Sequence, residues 1–256
     1  MGLFLDFDGV LCDSLNECFV SSWIAFYRRY RGETPTSVTL RDYRLFRQYR
    51  PFIRRGEDYL LLQALIRDGV AVPDQRAFDA AVERAGWEHM ATYRALLYSV
   101  RESFLRSDMA GWLALHQPYD RIVDALMPLA LDDDVWIIST KRPEFVQHIL
   151  SGWGVKWSLD RITMPVSRTK IQVIQSIMER TGIEEAVFVD DQIDHLRCDD
   201  APEIRCCLAL WGHVVGDEPE PDNIEPMKLE EFLELLDERA TRRSRRSGTE
   251  NGTHPG

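Results

Sequence analysis

The 256-residue chain has no Cys-x-x-Cys pair, and its five cysteines, Cys12, Cys18, Cys198, Cys206 and Cys207, are odd in number. That pattern excludes a zinc ribbon or a disulfide framework and fits reduced thiols. No apolar run approaches the roughly 18 to 20 residues needed to span a bilayer, so no membrane association is expected. No basic stretch precedes the first apolar residues, and a carboxylate arrives at Asp6. A signal peptide is therefore not expected, and the expected location is cytoplasmic. Positive charge is not in excess either: 31 Lys plus Arg stand against 42 Asp plus Glu, a net charge of −11. That sign argues against indiscriminate binding to nucleic acid. Collagen-like, coiled-coil and mucin-like classes are excluded as well, because 45% apolar and 29% charged residues are an ordinary globular balance. The length exceeds one minimal domain and falls short of two, which favours a core domain carrying an insertion.

Periodicity divides the chain. Leu3 to Asp6 is a short apolar run ended by Asp6-Phe7-Asp8-Gly9, a buried strand running into a turn. From there to about residue 118 the pattern is helical. Phe19, Val20, Trp23, Ile24, Tyr27 and Tyr30 recur at three- and four-residue spacing until Gly32, and further helical stretches follow near 57–67, 76–97 and 100–115. After residue 118 the pattern alternates. Strand-like runs at 135–138, 161–164, 186–189 and 204–210 are separated by helical segments, one opening at Pro143 and one spanning about 169–180. Such alternation calls for a doubly wound α/β core with a parallel sheet. The expected organisation is an α/β core from 1–14 and 119–240, a helical insertion at 15–118, and a disordered basic tail at 241–256 containing Arg242, Arg243, Arg245 and Arg246.

In an open parallel sheet the site forms beyond the carboxyl ends of the strands. The polar residues that follow the apolar runs are Asp6 and Asp8, then Ser139 and Thr140, then Asp190, Asp191 and Asp194, while Lys170 opens the helix before the strand at 186–189. Carboxylates with a hydroxyl and a lysine suit magnesium-dependent phosphoryl transfer: an oxygen cage for a hard cation, and groups to hold phosphoryl oxygens.

These same residues resemble the haloacid dehalogenase (HAD) superfamily. Leu5-Asp6-Phe7-Asp8-Gly9-Val10-Leu11 is similar to its first motif, Ile137 to Lys141 to its second, Lys170 in Arg168-Thr169-Lys170-Ile171 to its third, and Val187 to Asp191 with Asp194 to its fourth. The match spans residues 3–210 in the family's order, with a helical cap inserted between the first two motifs as in the phosphoglycolate phosphatase-like branch. The resemblance implies a Rossmann-like core and a Mg2+-dependent phosphoric monoester hydrolase. Asp6 would be the nucleophile and form an aspartyl-phosphate. Asp8 would be the proton donor and acceptor, with its backbone carbonyl on the metal. Ser139, with Thr140 beside it, would bind phosphoryl oxygens, and Lys170 would offset the charge shared by phosphate and Asp6. Asp6, Asp8, Asp190, Asp191 and Asp194 would make up the metal shell. Spacing pairs Asp190 with Asp194, alignment to the strand end favours Asp191, and both remain open.

The resemblance also implies alternatives: a phosphomutase with the same residues, or a non-hydrolytic HAD-like protein that binds a phosphorylated ligand. A dehalogenase is disfavoured, because a halide leaving group needs no proton and Asp8 is retained. Residues 21–118 carry fifteen Arg against eleven Asp plus Glu, so the insertion is basic and the remainder strongly acidic. Arg54 and Arg55, beside Gly56, are the candidates there for contact with a small anionic phosphorylated metabolite. His195 is expected at the surface.

Overall fold

The computed structural model describes residues 1–31, 38–214 and 223–250, with side chains as far as 244. Gly32, expected to stop the first helix, lies outside the described residues, as does the tail from 251 onward. The chain divides into two compact units, Met1–Asp13 with the stretch from Pro118 onward, and Ser14–Gln117.

The first unit starts with β1 (Gly2–Leu5) and the two-residue β2 (Cys12–Asp13). The second contains α1 (Leu15–Arg31), α2 (Leu40–Tyr49), α3 (Asp58–Arg67), α4 (Gln75–Ala85), α5 (Trp87–Ser107) and α6 (Met109–Ala114). The chain returns through the two-residue β3 (Gln117–Pro118) and continues with α7 (Ile122–Leu126), β4 (Val135–Ile138), α8 (Pro143–Gly152), β5 (Ile162–Thr163) and α9 (Lys170–Thr181). It closes with β6 (Ala186–Asp190), β7 (Ile204–Ala209), β8 (Ile224–Met227) and α10 (Leu229–Glu250).

Six strands form one sheet in the order β5, β4, β1, β6, β7, β8, and every neighbouring pair is parallel. The architecture is the α/β class expected, a parallel sheet with flanking helices. Because β1 lies between β4 and β6, the first strand end is bracketed by the other two. Leu5 pairs with Ile137 on one side and with Val189 on the other. Residues one step further along, Asp6 and Asp190, are therefore neighbours before any side-chain contact is considered, and the Asp6 amide donates to the Val189 carbonyl at 2.9 Å.

Why the central strands are buried follows from their sequence: in β1, β4 and β6 neither face carries a polar residue before the last position. Phe4, Trp136, Ile138, Phe188, Cys206 and Leu208 pack on one face with Ile171, Ile174, Ile177 and Met178 of α9. Leu3, Leu5, Ile137, Val187, Val189 and Cys207, one residue out of phase, are buried as well. α9 is set by its own ends. Thr169 accepts from the Gln172 amide at 3.2 Å while the Gln172 side chain accepts from the Thr169 amide at 3.0 Å, a reciprocal cap that fixes Lys170 as the first helical residue. Gly182, at φ 73°, stops it. Burying the four α9 side chains contributes on the order of 10 kcal/mol of gross hydrophobic stabilisation.

The helical unit is organised around a buried ion pair. Glu17 accepts from Arg101 Nε and Nη2 at 2.8 and 2.7 Å, from Ser21 at 2.7 Å and from Trp112 Nε1 at 3.2 Å, all of them buried. With so many donors on one carboxylate, the desolvation cost of the charge is offset locally.

Three elements differ from expectation. α2 was not foreseen; only Phe46 and Tyr49 of it are buried, and Thr39 caps it by accepting from the Asp42 amide at 3.1 Å. β8 was also not foreseen, because Pro226 suits an edge strand and only Ile224 and Met227 are buried. α10 continues to Glu250, past residue 240 where disorder was expected to begin. Its extension is anchored by Arg239, which binds Asp132 at 2.8 Å and Asp134 at 3.2 Å, and by Arg243, which donates to the Pro128 carbonyl at 3.0 Å.

Candidate active site

The site builds outward from the turn after β1. The amides of Leu11 and Cys12 both donate to the Phe7 carbonyl at 3.0 Å, and the Gly9 amide donates to Cys12 at 2.8 Å. This tight turn needs Gly9, whose φ is +95° and whose missing Cβ would lie 1.9 Å from Asp191 Oδ2. Phe7 is fully buried and stacks on Trp153 with centroids 5.8 Å apart. The aromatic ring between the two carboxylates thus anchors the turn.

Asp6, Asp190 and Asp191 each offer a carboxylate oxygen within 4.8 Å of the others, and all three are buried. Lys170 joins the cluster, its Nζ 2.8 Å from Asp6 and 2.6 Å from Asp190. Asp190 also accepts from the Gln192 amide at 2.9 Å and lies 3.2 Å from His195 Nδ1. Asp191 accepts from the His213 amide at 2.8 Å. Burial works against the Asp190 charge, but Lys170 and His195 outweigh it and hold its carboxyl below the usual range. For Asp6 burial wins: its carboxyl is pushed up, with Asp190 adding to the effect and Lys170 opposing it. Burial alone would push the Lys170 ammonium down, yet the two carboxylates push it up, so it stays protonated.

Asp8 is near this cluster in sequence, but its carboxylate is paired with Lys141 Nζ at 2.9 Å. Ser139, at the carboxyl end of β4, is buried; its hydroxyl accepts from the Lys141 amide at 3.2 Å, and its own amide donates to Thr163 at 3.0 Å. Thr140 follows it and is half-buried. Asp194 stands in a short turn after β6, where its carboxylate pairs with Arg197 at 3.0 Å. Arg54 and Arg55 belong to the helical unit. Arg54 reaches Asp79 at 3.5 Å, the amides of Arg54 and Arg55 both donate to Asp58 Oδ2, and Arg55 is exposed.

Three participants were not foreseen. Lys141 was visible only as part of the second motif. His195, expected at the surface, instead touches Asp190 with its side chain 19% exposed. Gly212 has no local sequence signal for its place against Asp191, which depends on the fold of the loop after β7.

The donor set fits a hard divalent cation. The carboxylates of Asp6, Asp190 and Asp191 converge in a buried site, and oxygen-only ligands suit Mg2+ rather than a soft metal.

No family model matches the chain. A phosphoglycolate phosphatase of Xylella fastidiosa is 25% identical over 215 residues, covering 81% of this chain and 79% of its own length. Among solved structures, a haloacid dehalogenase-like hydrolase from Streptococcus pneumoniae superposes with a TM-score of 0.53 at 18% identity, covering 91% of this chain and 97% of its own. A structure assigned as a phosphoglycolate phosphatase from Lactobacillus delbrueckii gives 0.60 at 12% identity, covering 92% and 97%. The fold of the chain is that of haloacid dehalogenase-like hydrolases. That fold does not decide chemistry: protein tyrosine kinase A of Mycobacterium tuberculosis also superposes, with a TM-score of 0.51 at 18% identity and coverage of 91% and 96%.

Proposed function

We propose that this chain is a phosphatase that hydrolyses a small phosphate monoester, with magnesium, through an aspartyl-phosphate on Asp6. The observation that carries the reading is Lys170 Nζ held between Asp6 and Asp190, at 2.8 and 2.6 Å, inside a cluster that includes Asp191. The ammonium offsets part of the burial that pushes the Asp6 carboxyl up to about 6, which favours the charged, nucleophilic form. An Asp6 oxygen attacks phosphorus and the bond from phosphorus to the ester oxygen breaks. Asp8 gives its proton to the departing alkoxide. Asp8, now ionised, takes a proton from water as that water attacks phosphorus, which releases inorganic phosphate and restores Asp6. Ser139 and Thr140 are the proposed donors to phosphoryl oxygens. Asp6, Asp190 and Asp191, with the Asp8 carbonyl, would hold the magnesium ion, which supplies charge neutralisation when bound. Asp194, paired with Arg197, would act from outside that set.

The relatives named phosphoglycolate phosphatase make small carboxylated esters the first substrates to try. Arg54 and Arg55 are proposed as the selectors of such acidic esters. The experiment is a panel of phosphate monoesters assayed with and without magnesium, with products followed. Release of inorganic phosphate that needs magnesium and passes through no bisphosphate supports the reading. A bisphosphate intermediate would point to a mutase, and no turnover across the panel to a binding protein.

A further inference from the structure

The chain has only four lysines, and two of them, Lys141 and Lys170, are about 2% exposed at the strand ends. Lys170 is absorbed by the reading above; Lys141 is not. Its Nζ lies 2.9 Å from Asp8 Oδ1, over the Phe7 ring at 5.6 Å from the centroid. Its own amide is tied to the Ser139 hydroxyl at 3.2 Å, so the β4 loop fixes the stem while Phe7, stacked on Trp153, forms the floor. A buried ammonium is costly unless its partner is held in good geometry. A side chain required only for packing on Phe7 could be apolar. The partner here is the one carboxylate that the proposed reaction needs to be mobile in proton, yet fixed in position.

We infer that Lys141 is a positioning residue for Asp8: it fixes the carboxylate rotamer from which the leaving oxygen receives its proton. The inference rests on the phosphatase reading and adds a requirement to it. A neutral variant should leave the attack of Asp6 possible and impair proton delivery, so the damage should scale with how much the leaving group needs a proton. An alkoxide needs one; p-nitrophenolate departs without it.

The experiment compares kcat/KM, which covers the steps through release of the alcohol, for an alkyl phosphate and for p-nitrophenyl phosphate in wild type, Lys141→Met and Lys141→Gln. Lys141→Gln keeps an N–H donor, one bond shorter than the lysine, which guards against a failure of Lys141→Met to fold; circular dichroism and thermal unfolding accompany both. The expected result for Lys141→Met is a fall of about 10²-fold on the alkyl ester against less than about threefold on the aryl ester, with Lys141→Gln between wild type and Lys141→Met. Equal losses on the two esters in a folded variant would overturn the inference while leaving the phosphatase reading intact. A wild-type enzyme that hydrolyses neither ester, or an Asp6→Asn variant that hydrolyses both as wild type does, would overturn the phosphatase reading and this inference with it.

Discussion

Gly212 lies so close to Asp191 that a Cβ at this position would be 2.4 Å from the Asp191 Cβ and 2.5 Å from the Gly9 carbonyl oxygen. Two glycines from opposite ends of the first unit's sequence thus leave the space that Asp191 occupies. The carboxylate is placed by what its neighbours lack as much as by the His213 amide that it accepts from. Gly212→Ala should therefore displace Asp191 without unfolding the sheet. Calorimetric titration with manganese should show affinity reduced by about 10- to 100-fold, the usual effect of disturbing the groups that orient a ligand.

Lys170 separates two buried carboxylates, so its removal leaves like charges facing each other. In Lys170→Met, measured by urea unfolding in the presence of a chelator, stability should fall by about 3–5 kcal/mol. Lys170→Arg, which keeps the charge but not the shape, should fall between the variant and wild type.

Asp58, at the start of α3, offers a pH test. Burial pushes its carboxyl up to about 6, although the Arg54 and Arg55 amides donate to it. The folded state then binds this proton more tightly than the unfolded chain does, so the stability it contributes is present at low pH and lost as pH rises from about 4 to about 6. Asp58→Asn keeps an acceptor for both amides and has nothing to ionise. Relative to wild type it should gain up to roughly 3 kcal/mol on moving from pH 4 to pH 8, read from denaturant midpoints at the two pH values.

Arg239 gives the opposite sign. Burial would push the Asp132 carboxyl up, but the hydrogen bonds and charge of Arg239 overcome that and hold it below its ordinary value. Stability from this pair is present above the ordinary carboxylate range and lost as pH falls through the lowered value. Arg239→Ala should cost about 1–3 kcal/mol at pH 7 and less at pH 3. Denaturant curves at both pH values check this, and the variant should also loosen the end of α10.

The sheet and the acidic cluster were readable because both follow from local rules. Strands buried on two faces appear as apolar runs, and the residue after each run is placed at the sheet's carboxyl edge whatever the loops do. Asp6, Asp190 and Lys170 needed nothing more. α2 and β8 were hidden because each buries only two side chains, which leaves no periodic stripe to detect. α10 ran on because Arg239 and Arg243 have partners 105 to 115 residues earlier in the chain, and its arginines looked like a solvated tail without them. Lys141, His195 and Gly212 act through contacts set by loop conformation, which no spacing rule encodes. β6 and the turn after it bring both Asp190 and Asp191 to Asp6, with Lys170 and His195 against Asp190 and the two glycines against Asp191.

Asp6→Asn keeps the shape of the proposed nucleophile and removes its charge. Inorganic phosphate release should be measured for wild type and variant with magnesium, on whichever monoester wild type turns over best. A fall of at least about 10³-fold in kcat with the fold unchanged is expected; phosphate release by Asp6→Asn at the wild-type rate would rule Asp6 out as the nucleophile.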